Sequence, residues 1–198
     1  MTRPCASGVD LGVRLAYPAP SMDAASIRAD LEAYHQAARE VERLLAGEPS
    51  LLERKVMQIS GWSPVQHAAH LTLANELVLK NLSSLARGSG LLVVYEAAQV
   101  PRALEILRAG RLPRGEAQSP RMVVPPLGME ARVAREWATK FTADLDAWTA
   151  TLALEGAPKG YVPHQLLGPL DLAQWARFGL VHTRHHLAIA REILAVSS

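Results

Sequence analysis

The segment from Pro64 to Ala86 most constrains what this chain can fold into. Read as a helix, it carries Leu71, Leu73, Leu77, Val78, Leu79 and Leu82 on nearly every side. A helix that is apolar all round has to be covered all round, so this one is expected to be the most buried member of a helical assembly. Its start is encoded locally. Ser63 can cap it, Pro64 suits the first helical position, where an N–H is not needed, and Gln66 stands three residues after the cap. Gly88 marks its end.

Three further segments can supply the cover. In residues 23–47, Ile27, Leu31, Tyr34, Ala38, Val41 and Leu45 recur at spacings of four and three, with Arg and Glu opposite, and Gly47 is a plausible stop. From about Glu130 to Leu154 the stripe is Val133, Trp137, Phe141, Leu145, Trp148 and Leu152. The last helix follows Asp171, with Gln174 at the capping-box position, and runs to about Val196. Residues 87–127 link the second and third long helices and hold a short helix between Pro101 and Gly110. A link this long can cross the whole assembly, so those two helices can run parallel. The expected fold is all-α: a four-helix bundle, up-down-down-up, with a long crossover between its second and third helices.

The 198 residues suit one domain, with 49% apolar and 20% charged residues. A net charge of +2 gives no reason to expect a nucleic-acid partner. Cys5 is the single cysteine, which excludes a disulfide framework and a cysteine zinc site. No apolar run is long enough to predict a membrane span, and the N-terminus lacks the apolar region of a signal peptide. Residues 1–21 read as a flexible extension, with Met22 as an alternative start, and residues 22–198 as the bundle domain; the expected setting is reducing and cytoplasmic.

The histidines carry the chemistry. On the last helix Leu172, Trp175, Gly179, His182, His186, Ile189 and Ile193 form the inward strip, so His182 and His186 stand where leucine is the ordinary choice. An i, i+4 pair brings two imidazoles to one side of a helix, a geometry suited to a metal ion. The bland alternative is a pair of hydrogen-bonded core histidines, each needing partners for its ring nitrogens. His185 is one residue off and points aside. A third imidazole is available from His67 or His70 in "GWSPVQHAAHL"; periodicity leaves both open, with His67 facing in more squarely if Leu71, Ala74, Val78 and Leu82 define the inner stripe.

"GWSPVQHAAHL" resembles the W-S-x-x-E-x-x-x-H-L signature of the DinB-like (YfiT-like) superfamily, and "HTRHH" its late H-x-x-x-H. The resemblance is to the damage-inducible helical-bundle proteins, not to the DNA polymerase of similar name, and covers most of residues 23–196. It implies His70, His182 and His186 as ligands of a divalent metal, zinc or nickel, in an up-down-down-up bundle that is often a homodimer. It also implies a small-molecule substrate and a low-molecular-weight thiol as co-substrate, hence a thiol-dependent S-transferase; a metal-dependent hydrolase or a non-catalytic metal- or ligand-binding bundle are the alternatives. Position 66 is Gln where the signature often has Glu, and Ile189 stands where many members have glutamine. "HQLLGPLDLAQW", residues 164–175, resembles a stretch of one uncharacterised branch. His164 leads it, either as a packed loop residue or as a contact to ligand or substrate.

Three imidazoles leave open positions on a metal, the pattern of catalytic rather than structural zinc. Such a metal lowers the pKa of bound water toward about 7 or holds a thiolate. Cys5 is not expected to be that thiol. Glu76 or Glu136 are the carboxylates available to orient the ligands. Trp62, Trp137, Trp148 and Trp175 read as core or pocket wall, His35 as surface or core edge, and Arg184 as solvated.

Overall fold

The computed structural model describes residues 23–116 and 118–196. The expectations placed on the N-terminal extension, Cys5 and Met22 lie outside the described residues.

Among the described residues, six helices and one small sheet follow in order: α1 (Ala24–Leu44), α2 (Pro49–Glu53), α3 (Pro64–Arg87), α4 (Pro101–Ala109), a 3-10 turn (Arg121–Val123), α5 (Ala131–Ala150), β1 (Val162–His164), β2 (Gly168–Leu170) and α6 (Leu172–Ala195). Side-chain caps start three of the helices, those of α3 and α6 as expected. Asp23 caps α1 by accepting from the Ser26 N–H at 2.7 Å. Ser63 and Gln66 form a reciprocal capping box on α3, and Asp171 and Gln174 form another on α6. Gly88 and Gly110 end α3 and α4 in the left-handed conformation that glycine adopts without a Cβ penalty. Two helices stop earlier than their stripes suggest: α1 at Leu44 and α5 at Ala150.

α1 and α3 each pack against both α5 and α6. Tyr34, Leu45, Leu82, Leu145, Leu180 and Ile193 are fully buried at these contacts. Each such aliphatic side chain contributes about 2 kcal/mol on burial. Gly179 lets α1 come close to α6, because a Cβ there would lie 2.8 Å from two ring atoms of Tyr34 and 3.1 Å from Val78 Cγ1. Arginines satisfy three helix C-termini from outside. Arg135 donates to the Leu45 carbonyl, Arg54 to those of Ile193 and Val196, and Arg177 to that of Leu107. These carbonyls stand at helix C-termini, where the intrahelical ladder runs out.

The chain is mostly helical, as expected, with one small sheet added. β1 and β2 form an antiparallel hairpin in which His164 pairs with Gly168. Gly168 has a positive φ of 72°, and a Cβ there would sit 2.7 Å from Val100 Cγ2. The Trp175 indole N–H donates to the Val162 carbonyl at 3.1 Å and pins the hairpin to α6. No helix among the described residues is long and apolar enough to cross a membrane.

Candidate metal centre

The first turns of α3 and the middle of α6 bring four histidines together. His70, His182 and His186 each offer a ring nitrogen, and the three nitrogens lie within 4.8 Å of one another. His67 is as buried as His70 but falls outside that group. Its Nδ1 lies 2.9 Å from His186 Nδ1, and its Nε2 lies 2.9 Å from Ser60 Oγ. Both histidines that periodicity left open turn inward, His70 into the group and His67 against His186.

The ring protons can be assigned from the partners. His70 Nδ1 lies 2.8 Å from the Val123 carbonyl, which can only accept. His70 is thus protonated on Nδ1 and bare on Nε2, which points toward His182 Nε2 at 3.3 Å. The Val123 carbonyl fixes the tautomer and ring orientation, as the outer partner of a metal-bound histidine does. For His67 two arrangements exist. In one, His67 Nε2–H donates to Ser60 Oγ, which also accepts from the Trp62 N–H at 3.1 Å. His67 Nδ1 then accepts from His186 Nδ1–H, and His186 Nε2 keeps a free lone pair. In the other, the Ser60 hydroxyl donates and the His186 proton sits on Nε2.

Burial holds the whole cluster neutral. It pushes the His67 pKa down to about 4 and lowers that of His70; His182 and His186 fall well below the ordinary value. Repulsion between the clustered imidazoles adds to the effect. Neutral imidazole is the form that ligates metals. His182 Nδ1 is buried with no hydrogen-bond partner among the described residues, an under-satisfied group of the kind that marks functional centres. Donor type, protonation and spacing all fit a divalent cation.

Trp62 covers the cluster, its ring centroid 5.0 Å from His70, 5.5 Å from His67 and 6.3 Å from His186. Behind it, the Asn75 amide and the Thr183 hydroxyl are buried and bonded to one another at 3.1 Å, tying α3 to α6. On the other side the histidines open on a chamber of about 610 Å³ bounded by α3, α4, α6, the crossover and the hairpin. Ligand pockets run from about 300 to 1,000 Å³.

The chain belongs to the DinB superfamily. Its family model matches residues 32–190, which span the histidine cluster, the crossover and the hairpin. The resemblance of "GWSPVQHAAHL" and "HTRHH" is thereby borne out. No curated protein and no solved structure matches the chain.

Other expected residues of this DinB-superfamily chain fall elsewhere. Glu136 pairs with Arg132 on the exposed face of α5, and Glu76 faces Lys140. Neither orients a histidine; a backbone carbonyl and a fourth imidazole do so, and neither has a sequence signature. His35 reaches Asp146 at 2.6 Å across α1 and α5, away from the cluster. Arg184 is exposed. His185 lies 5.0 Å from the His186 ring and lines the chamber without joining the group. Trp175 is core and wall together, while Trp137 and Trp148 pack against the core.

Proposed function

We propose that this DinB-superfamily protein is a metal-dependent enzyme whose divalent ion is held by His70, His182 and His186. The observation that carries this reading is the meeting of three neutral imidazole nitrogens within 4.8 Å at the wall of a molecule-sized chamber. Three nitrogen donors suit zinc or nickel, and they leave positions open toward the chamber. A divalent ion bound there supplies Lewis acidity to a water or thiolate on its open side. The protein residues do the rest. The Val123 carbonyl holds His70 with Nε2 bare, and His67, when its Nε2–H donates to Ser60, holds His186 with Nε2 free to coordinate. Trp62 shields the back of the cluster from water.

Family resemblance favours a thiol-dependent transfer to an electrophilic small molecule, with metal-dependent hydrolysis as the second reading. The four long helices are read as up, down, down, up. Asp30 and Glu40 of α1 meet Arg177 and Arg191 of α6 in the same chain order, whereas His35 and Leu45 meet Asp146 and Arg135 of α5 in reverse order. The test is turnover by zinc- and nickel-loaded protein, with low-molecular-weight thiols plus an electrophilic acceptor and, separately, with activated esters. Thiol-dependent turnover that disappears in His186→Ala supports transfer; ester turnover without thiol supports hydrolysis. No turnover in either assay would leave a binding protein in place of an enzyme.

A further inference from the structure

His164 closes the hairpin and takes no part in the histidine group. Its Nδ1 accepts from the backbone N–H groups of Leu166 and Leu167, both at 3.1 Å. A neutral imidazole has one ring proton, so with Nδ1 accepting, that proton is on Nε2. Burial pushes the His164 pKa down to about 4, so the ring stays neutral near pH 7. Among the described residues no protein group accepts from Nε2. The ring forms part of the chamber wall, edge-on to Phe178 at 4.5 Å and tilted against Trp175 at 5.4 Å.

The rest of that wall is largely apolar, with Leu77, Val78, Val100, Ile106 and Phe178 among its residues. Its two charged groups, Arg102 and Glu116, are exposed and paired with each other at 2.7 Å. Asn81, Gln118, Ser119 and Gln165 add neutral polar groups to the wall, but the His164 donor is the one whose ring is held by two backbone contacts, and among the described residues the protein wall carries no unpaired charge. Away from the metal group, a charged ligand would lose hydration without gaining a counter-charge from the protein wall, whereas an acceptor oxygen on an apolar body would be matched.

We propose that the chamber takes an uncharged, mostly apolar small molecule bearing one carbonyl-type oxygen, and that His164 Nε2–H holds that oxygen. This names the ligand class of the chamber assigned above, and so rests on its being a substrate site. His164 is then a specificity residue for the ligand, separate from the metal-binding group.

Isothermal titration of metal-free protein with three probes of one shape tests it: benzophenone, diphenylmethane, which lacks the oxygen, and 4-benzoylbenzoate, which adds a charge. Benzophenone is expected to bind about tenfold more tightly than either analogue, the worth of about one hydrogen bond. His164→Asn keeps an acceptor for the two backbone N–H groups, as asparagine does in turns, but lacks the Nε2–H. It should retain the wild-type melting temperature and lose the preference over diphenylmethane. Equal affinity for the three probes, no binding of any, or a preference that survives in His164→Asn would overturn the proposal. So would a nitrogen NMR spectrum of the wild type that places the His164 proton on Nδ1, a readout independent of whether the variant folds. Zinc titration of the same samples keeps the two readings apart. Failure to bind zinc counts against the metal group, while the probe preference of metal-free protein reports on His164 alone.

Discussion

His67 Nδ1 lies 2.9 Å from His186 Nδ1, so the helix that contributes His70 also grips the side chain of a second histidine from across the interface. Two bare lone pairs would repel at that distance, so a proton lies between them. In the arrangement in which His67 Nε2–H donates to Ser60, that proton belongs to His186 and its Nε2 is free to coordinate.

Removing this grip should weaken metal binding without unfolding the chain. His67→Leu is expected to lower zinc affinity by about 10- to 100-fold, as outer partners of ligating histidines do. Ser60→Ala should have a smaller effect in the same direction. Competition with a chromogenic chelator measures both, and circular dichroism checks the fold. Unchanged affinity in His67→Leu would make its contact with His186 mere packing.

Acid should destabilise the metal-free protein in a defined window. His67 and His164 have folded pKa values near 4, against an ordinary value of about 6.5. Between those limits the unfolded chain binds protons that the folded chain refuses, so stability falls as pH falls from about 6.5 toward 4. Above about 6.5 their contribution is fully present. Urea midpoints across that range should decline, and less steeply in His164→Asn than in the wild type.

Gly179→Ala should cost stability despite the better helix propensity of alanine. The added Cβ would lie 2.8 Å from the ring of Tyr34, which is fully buried and has no room to move. Overpacking costs about 1–3 kcal/mol and the propensity gain returns about 1. A net loss of up to about 2 kcal/mol should appear in chemical denaturation, and a gain would mean that α1 and α6 are not tightly apposed there.

Zinc should raise the melting temperature, because an ion that binds only the folded chain stabilises it by mass action, by about 4 kcal/mol at a thousandfold excess over Kd. A strong chelator should reverse the shift in thermal scans. An unchanged melting temperature would point to the histidines as polar core residues.

Much of this was legible in the sequence because it is written in local signals. The Ser63–Gln66 and Asp171–Gln174 boxes start helices that carry His70, His182 and His186, and periodicity alone turned the last two inward. The hairpin was not legible: its strands are three residues long and each contains a proline, Pro163 or Pro169, which argues against a strand. Nor could spacing separate His67 from His70, since α3 is covered on nearly every side and both rings are buried. What divides them is the far end of each contact. The Val123 carbonyl comes from a crossover more than fifty residues downstream, and the Ser60 hydroxyl from the loop before α3.

The most direct measurement is the metal content of protein purified without a histidine tag, beside single alanine variants. The wild type should carry about one divalent ion per chain, as a three-histidine centre requires. His70→Ala, His182→Ala and His186→Ala should each lose it, while His185→Ala, one residue from His186 but outside the group, should keep it. Full retention of metal in His182→Ala and His186→Ala would contradict the account.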